Sequence, residues 1–583
     1  MNKHYVGDFE STTDENDCHV WGWALCNVDD LSEIILGYSL DDFMEFCKKM
    51  DGNPTISMHN LKWDISFILY WLFHNDYHHV SSKERGSGTF TTVINGKGMV
   101  YKLEVVFYLK GKRVNKVTFI DSYKLLPMSV EKIADTLKLP FKKLEMDYDA
   151  RNGVPIGTPF TEAEKEYIIH DVKIVAAALH YFKSMGLNRL TIGSCALFEY
   201  KNIIGKNTFK RWFPNSTNYH NNIKDCYRGG YVIVNPKYKG KIVDNGIVLD
   251  KNSMYPWVMA TKLLPHGTPI FFKGQYKEDR LYPLYIQCIR CSFDIKKGKL
   301  PIIQIKSGLY YSGTQYLYSS NDEERVLYLT NVELELFFEH YEVHNPEYFG
   351  GWKFMGSKGL FTQYIDKWSK NKEKARRENN YGLALISKNF LNHLFGKFGT
   401  DITQKARIPY IGDDDVVHYK KADDDIKDGI YIPVAIFITS YARFEMVKAA
   451  QKIMDDHAAG KSDIDFVYCD TDSLHCVSPG HKLPEGLDID PTRLGAWKFE
   501  SKFTKGKFLR AKCYIEMSKE DVYDKKPEVD YELKVTVAGM PDGCKDQVTF
   551  SNFKVGASYT GKKQPFAVRG GVVLRSIDFT IKR

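Results

Sequence analysis

The sequence predicts a multidomain protein in which an α/β domain is followed by α+β architecture. Three observations lead there. Residues 1 to about 190 alternate strand-like with helix-like segments, whereas the pattern from about 191 onward is mixed. With 583 residues, and roughly 100–200 residues per domain, the chain has room for about three to five units. Each half also carries acidic residues at the ends of apolar segments, where a surface loop would not put them.

In the first region Tyr5 to Glu10 reads as a strand, Leu61 to Phe73 as an apolar helix, and Met99 to Leu109 and Lys116 to Asp121 as further strands. Thr161 and Glu164 form a capping box ahead of the periodic apolar run Ile168 to Phe182, so a long helix opens at Thr161. Beyond it, Tyr227-Arg-Gly-Gly-Tyr231 reads as a Gly-opened turn, and Asn245-Gly246 as a tight-turn signal leading into a strand Ile247 to Asp250. Tyr285 to Ile295 alternates as a strand, and helical periodicity returns from Phe361 to Phe398. Residues 400–433 are polar and Asp-rich, with Ile408 to Ile411 and Val416 to Tyr419 suggesting a hairpin. A helix from Thr439 to Ile453 precedes a strand–turn–strand over Ile464 to Val477, and the strand-rich last 40 or so residues turn at Gly570-Gly571.

A net charge of +8 suits a polyanion partner, and its basic runs are Lys110 to Arg113, Lys367 to Arg377 and Lys502 to Lys512. Any one of these runs, taken singly, reads as a solvated face. The 37 Tyr and 35 Phe serve packed cores or base stacking. Of the eleven cysteines only Cys288 and Cys291 are close, and no second pair follows at zinc-site spacing, which argues for a reducing compartment rather than a zinc framework. Met1 to Asp8 has no apolar signal core, and the longest apolar run, Ile65 to Phe73, is too short to span a membrane.

The most specific motif is Tyr468-Cys-Asp-Thr-Asp-Ser473, flanked on both sides by apolar residues. Residues two apart on a strand share a face, so Asp470 and Asp472 converge. Two such carboxylates repel unless a cation lies between them, and Mg²⁺ suits an all-oxygen site that must leave room for phosphate. Asp250, at the end of an apolar strand, supplies a third acid. Three acids can hold two ions, which stabilise the attacking and leaving oxygens of an in-line phosphoryl transfer. Tyr255 is placed to pack under a nucleotide sugar and clash with a 2′-hydroxyl, although core packing alone would also account for the ring. Lys388 and Asn392 share a helix face, where the lysine can neutralise triphosphate charge; Arg376 and Arg377 lie upstream in a basic region that reads equally as solvated.

In the first half, Asp8 and Glu10 share a strand face, Asp64 opens an apolar helix after His59-Asn60, and Tyr167 and Asp171 share a helix face. Each acid singly reads as surface; together they suggest a second two-metal site, hydrolytic, with the Tyr167 hydroxyl orienting the attacking water.

These motifs resemble those of family B DNA polymerases, and within them the protein-primed group of small tailed Bacillus phages. Asp250 to Pro256 is similar to the family's Dx2SLYP, with Ser253 in place and Met254 for Leu. Lys388 to Gly396 resembles Kx3NSxYG, with His393 for Ser and Phe395 for Tyr, neither a metal ligand. Tyr468 to Ser473 is similar to YxDTDS, Lys512-Cys-Tyr514 to KxY, Thr439 to Arg443 to Tx2AR, and Tyr227 to Gly230 to YxGG. The first half resembles a DEDD-type 3′–5′ exonuclease domain, with Trp63 where the phage group has Phe.

The resemblance implies a ribonuclease-H-like exonuclease domain joined to a right-hand polymerase with two insertions. It implies metal ligation by Asp250, Asp470 and Asp472 at one site and by Asp8, Glu10, Asp64 and Asp171 at the other, with Glu145 near the second and Lys143 assisting there. Two Mg²⁺ ions per site are implied, with Mn²⁺ able to substitute. Ser253, Tyr255, Lys388, Asn392, Phe395 and Arg376 are implied at the nucleotide. Asn60, Phe67, Ser122, Tyr123 and Tyr148 are implied at the frayed 3′ end, and Tyr227, Gly229, Gly230, Thr439, Arg443, Lys512 and Tyr514 at the DNA. The implied divisions are 1–190 exonuclease, 191–261 and 434–543 palm, 262–359 terminal-protein-docking insertion, 360–399 fingers, 400–433 strand-displacement insertion and 544–583 thumb. The implied partners are primer–template DNA, dNTPs and a separate terminal protein primer; the implied enzyme is a monomer in the cytoplasm of an infected bacterial host. A replication scaffold without catalysis, or a nuclease with a degenerate polymerase half, are the alternatives; the full set of acids argues against the first, and only His393 and Phe395 support the second.

Overall fold

The computed structural model describes residues 3–305, 315–426, 430–518 and 532–582. Residues 306–314, 427–429 and 519–531, parts of the segments 262–359, 400–433 and 434–543, lie outside the described residues.

The first domain is built on an eight-stranded sheet in the order Ile34–Gly37, Val20–Asn27, His4–Ser11, Thr55–Met58, Arg113–Asp121, Val100–Lys110, Thr89–Ile94, His78–His79. Its central strand His4–Ser11 is sorted by period two. Tyr5 and Phe9 join a core with Ile65, Phe67, Ile68 and Leu69 of helix Asp64–His74. Val6 joins the opposite core with Ile168, Val172, Val175 and Leu179 of helix Glu162–Ser184. Asp8 and Glu10 share the face of Val6, so they look toward that second helix. The helix begins where the capping box requires, with the Thr161 side chain accepting from Glu164 N.

The second half is organised by a seven-stranded sheet in the order Glu532–Val537, Cys513–Ser518, Trp497–Arg510, Ile242–Lys251, Ser473–Val477, Asp465–Asp470, Val232–Val234. Helix Pro433–Ala458 packs on it, starting six residues before the expected Thr439. Val434 to Ile438 are all buried, and an apolar run without polar interruptions gives no helical period to read. Residues 191–226, read only as mixed, form helices Ile192–Ile204, Lys206–Trp212 and Thr217–Ile223. The Phe361–Phe398 periodicity resolves into Thr362–Arg377 and Tyr381–Phe398, packed through Trp368 and Phe390 at a 4.5 Å ring separation. Asn245-Gly246 is not a tight turn. The strand runs through it from Ile242 to Lys251, with Asn245 at φ 53° and Gly246 so near the Phe503 ring that a Cβ would stand 1.9 Å from it. The glycine is needed for that close approach.

Two additions complete the chain. A four-stranded sheet in the order Leu264–Phe272, Tyr341–Ser357, Leu284–Ile295, Arg325–Thr330 is followed in space by helix Asn331–His340. The expected hairpin is present as Arg407–Ile411 and Val417–Lys421. The last hairpin, Ser558–Val568 with Gly571–Thr580, reaches back to the first domain, where Val568, Val572 and Val573 enter the core of Phe67. Its tip residue Arg569 bonds Asp415 at 2.6 Å, and Asp415 also accepts from Tyr70 at 3.0 Å and contacts His74 at 2.8 Å.

A buried charge cluster fastens the four-stranded sheet to the rest of the second half. Glu333, third residue of its helix and capping-box partner of Thr330, lies against Arg228 at 3.2 Å and Arg443 at 2.5 Å. Burial by itself would push the Glu333 carboxyl up, yet the two guanidiniums hold it below the usual carboxylate range. Arg443 also donates to the carbonyls of Arg228 and Gly229 at 2.8 and 2.9 Å. Replacing Glu333 by Gln strands two buried cations, and a loss of about 3–5 kcal/mol in unfolding free energy is expected in denaturant titration. An unchanged midpoint would show that the cluster does not hold the four-stranded sheet.

Candidate active sites

Strand Ile242–Lys251 lies between Ser473–Val477 and Trp497–Arg510, pairing Asp250 with Ser473 on one side and Lys498 on the other. Asp470 pairs with Ser473 across the hairpin, so the two acids flank one residue. The turn from Asp470 to Ser473 is tight: Thr471 has φ 64°, its amide donates to Tyr231 O at 2.9 Å, and Asp472 N donates to Asp470 O at 2.7 Å. Gly230 presses on that turn, since a Cβ there would stand 2.7 Å from Thr471 Oγ1. The Tyr227–Gly230 segment therefore props the acid-bearing turn from below. Burial, and then the charges of Asp250 and Asp470, push the Asp472 carboxyl up to about 6.

Among the described residues the three acids do not converge as tightly as expected: their oxygens are not all within 4.8 Å. A lysine sits on each of two carboxylates instead, Lys498 on Asp250 at 3.0 Å and Lys512 on Asp470 at 2.7 Å. Tyr468 fixes Asp470 as well, its hydroxyl donating at 3.1 Å while accepting from Lys512 N at 3.0 Å. Tyr255 stacks on Phe395 with ring centroids 4.2 Å apart and planes 27° from parallel, so the ring that replaces Tyr is used for stacking. Ser253, at φ 48°, turns the chain into helix Met254–Thr261. Lys388 and Asn392 are exposed on one face of Tyr381–Phe398.

Two further cations belong to this group and were not singled out from the sequence. Burial first, then the like charges of Arg376, Lys388 and Lys498, lower Lys372 from its ordinary value, while Asp250 acts the other way. Lys372 was visible only as one member of a basic run, and Lys498 reaches Asp250 through strand pairing that no local pattern announces.

The first-half site is tighter. Ligand atoms of Asp8, Glu10 and Asp171 all lie within 4.8 Å of one another. Asp64 lies close enough that its charge raises Glu10. Burial, then Asp171, push Asp8 up to about 7; burial, then Asp8 and Asp171, hold Glu10 well above the usual range. Burial and then Asp8 raise Asp64 likewise. Lys143 donates to Tyr167 Oη at 3.0 Å and pairs with Asp171, and Tyr148 and Tyr167 share a 2.6 Å hydrogen bond. Burial, and then Glu10 and Asp171, keep the Tyr167 hydroxyl protonated. The group opens on a cleft of about 810 Å³ lined also by His59, Trp63, Lys563 and Leu574. Asp64 Oδ1 and Asp171 Oδ1 are buried without a hydrogen-bond partner, which fits oxygens reserved for a cation.

The remaining expected contacts divide. Asn60 at φ 69°, with its amide on Asp121 Oδ1 at 3.1 Å, and the exposed Tyr123 and Tyr148 stand at the surface of the first domain. Ser122 is buried and hydrogen-bonded to Met58 O at 3.2 Å. Phe67 is fully buried, its ring beneath Gly571, so it is core and offers no surface to a strand. Arg443 and Thr439 are likewise satisfied internally, Thr439 Oγ1 bonding Ala435 O and Ile436 O at 3.1 Å, so neither offers a group to DNA. Tyr514 is buried in a ring cluster with Phe508 and Tyr468, which leaves Lys512 as the exposed member of its motif. Gly229 is exposed, and Tyr227 packs against Gly399. Glu145 is exposed and does not line the cleft, so the structure does not bring it to the acids.

Comparison with known proteins gives the family. The model described as DNA polymerase type B, organellar and viral, matches residues 47–483. The chain is 40% identical over 598 residues to the DNA polymerase of Bacillus phage B103, covering 100% of both. It is 39% identical over 594 residues to that of Bacillus phage phi29, covering 100% of this chain and 99% of the relative. The solved phi29 DNA polymerase complexed with primer-template DNA and incoming nucleotide substrates matches with a TM-score of 0.92 at 38% identity, covering 100% of both chains. The same enzyme complexed with single-stranded DNA matches at 0.91 and 38% identity, again over 100% of both. With two separate acidic sites carried on that fold, the chain belongs to the organellar and viral type B DNA polymerases, as a DNA-directed DNA polymerase of the phi29 phage kind.

Proposed function

We propose that Asp250, Asp470 and Asp472 carry out nucleotidyl transfer with two Mg²⁺ ions, and that Asp8, Glu10, Asp64 and Asp171 form a separate 3′–5′ proofreading exonuclease. The observation that carries the second half of this reading is the convergence of Asp8, Glu10 and Asp171 around buried, unpartnered oxygens. Bound at either site, the ions would supply charge neutralisation to the attacking and leaving oxygens. The protein's own groups do the rest. Lys372, Lys388 and Arg376 meet the triphosphate of the incoming dNTP, Asn392 and Ser253 lie beside it, and the Tyr255–Phe395 stack floors the sugar. Lys512 meets the primer strand. In the first domain Tyr167, kept protonated and oriented by Lys143 and Tyr148, holds the attacking water by hydrogen bond.

The relatives support a reading of the substrates. The phi29 enzyme's complexes with primer-template DNA, incoming nucleotides and single-stranded DNA support the same substrates here, with the single strand in the 810 Å³ cleft. Segment 262–359 is proposed to dock a terminal protein whose hydroxyl starts synthesis, and 400–433 to open the duplex ahead. The flanking divisions are proposed as 1–190 exonuclease, 191–261 with 434–543 palm, 360–399 fingers and 544–583 thumb. The setting is an infected bacterium; among the described residues no helix is long and apolar enough to cross a membrane.

On a primer–template with dNTPs, Asp470→Ala or Asp472→Ala is expected to cut extension by on the order of 10³-fold or more while sparing degradation without dNTPs. Asp8→Ala with Glu10→Ala should do the reverse; extension surviving the first pair of variants would remove the polymerase assignment of those acids. Protein priming is tested separately: incubation with each labelled dNTP in turn and the candidate terminal protein should label that partner covalently with one nucleotide, and labelling of DNA ends only would refute it.

The raised carboxyls set a pH dependence. Asp8 titrates near 7 when folded and near 3.8 otherwise, so the metal-free folded state holds the extra proton across that window and loses stability as pH rises through it. A divalent cation must displace this proton. In an Asp470→Ala/Asp472→Ala background, calorimetric Mn²⁺ affinity is expected to rise between pH 6 and 7 by up to about tenfold. An affinity independent of pH over that range would contradict the assignment of Asp8 as a ligand.

A further inference from the structure

Strand Ile242–Lys251 ends in two charged residues that face opposite ways. Asp250 looks into the polymerase site; Lys251, behind it, is 5% exposed. Its ammonium lies over the rings of Trp257 and Trp497, 4.7 and 5.0 Å from their centroids, and 3.3 Å from Glu445 Oε2. Glu445 belongs to helix Pro433–Ala458, and its other oxygen accepts from Lys262 at 2.7 Å. Gly495 makes the box possible, because at φ 79° it lies so near Trp257 that a Cβ would stand 2.2 Å from the ring.

Taking an ammonium out of water costs several kcal/mol before compensation, so an apolar residue would end this strand more cheaply. What the lysine adds is a fixed position. Trp257 and Trp497 hold it sideways, and Glu445 ties it to the long helix. Its backbone amide donates to Asp472 O at 2.7 Å, joining the strand that bears Asp250 to the turn that bears Asp472. Lys251 is therefore joined to both acid-bearing segments, by its place in the strand and by its amide.

We propose that Lys251 is a positioning residue for nucleotidyl transfer, holding Asp250 and Asp472 in register from behind; this rests on the reading of Asp250, Asp470 and Asp472 as the polymerase acids. Lys251→Met keeps the stem against the rings and removes the ammonium. It is tested in full-length protein carrying Asp8→Ala and Glu10→Ala, so that only the second-half site binds metal. Single-nucleotide extension should lose about 10–100-fold in kcat, as for groups that orient metal ligands, with KM for the dNTP held within about twofold. Mn²⁺ binding to a complex with dideoxy-terminated primer–template and the next dNTP, followed by electron paramagnetic resonance, should weaken about tenfold. Lys251→Arg, which keeps a cation over the rings, should recover most of both.

The proposal is overturned if the Met variant keeps kcat and Mn²⁺ binding, or if kcat falls while Mn²⁺ binding is unchanged. Should Lys251→Met fail to fold, Glu445→Ala provides the same test, since it removes the acceptor that ties the ammonium to helix Pro433–Ala458 and leaves the stem in place; unchanged Mn²⁺ binding there would equally overturn it. Asp470→Ala run in parallel separates the two claims: extension that survives it refutes the assignment of the acids and leaves the fault there, whereas its loss beside an unaffected Lys251→Met refutes the positioning role.

Discussion

Two guanidiniums on one buried carboxylate hold the second half of this enzyme in shape. Glu333 comes from helix Asn331–His340 beside the four-stranded sheet, Arg228 from the Tyr227–Gly230 segment and Arg443 from helix Pro433–Ala458. Arg443 grips the Arg228 and Gly229 carbonyls, Gly230 presses on Thr471, and Thr471 sits between Asp470 and Asp472. The position of the acid-bearing turn thus depends, through four residues in sequence of contact, on a charge cluster that touches no substrate. Such a cluster is poor at adding net stability but severe when broken, which suits a part that must adopt one arrangement only.

The two acidic sites show two electrostatic solutions. In the first domain four carboxylates crowd together with one ammonium, Lys143, and burial raises Asp8, Glu10 and Asp64 together. That arrangement favours a multiply charged cation over protons once pH permits. At the second site each of Asp250 and Asp470 already faces a lysine, and Lys372, Lys388 and Arg376 add positive charge nearby. An excess of fixed cations is the expected complement of a triphosphate, which brings its own negative charge.

Much of this was legible in the sequence, and the reasons are local. Asp8 with Glu10 follows from the strand period, Tyr167 with Asp171 from the helix period, and Thr161 with Glu164 from capping chemistry; Asp470 and Asp472 come together differently from the strand reading, across a tight turn at Thr471. The failures are tertiary. Arg443 and Thr439 carry polar groups suited to DNA, but their partners are main-chain and acidic groups from segments more than 100 residues away or from their own helix turn. Phe67 is an aromatic residue in the right neighbourhood, and only the return of the last hairpin shows that it is core. Asn245-Gly246 has turn chemistry, yet the glycine is there for the Phe503 ring. The roles of Lys251, Lys372 and Lys498 depend on which strands and helices become neighbours, and no spacing along the chain encodes that.

The placement of Val568, Val572 and Val573 in the core of Phe67 has a consequence for synthesis of the chain. A ribosome delivers helix Asp64–His74 early and these three valines only about 500 residues later, an interval of roughly 25–100 s at 5–20 residues per second. Until then helix Asp64–His74 has an uncovered apolar flank. The last hairpin is thus the seal on that flank, and it is among the last parts of the chain to be made.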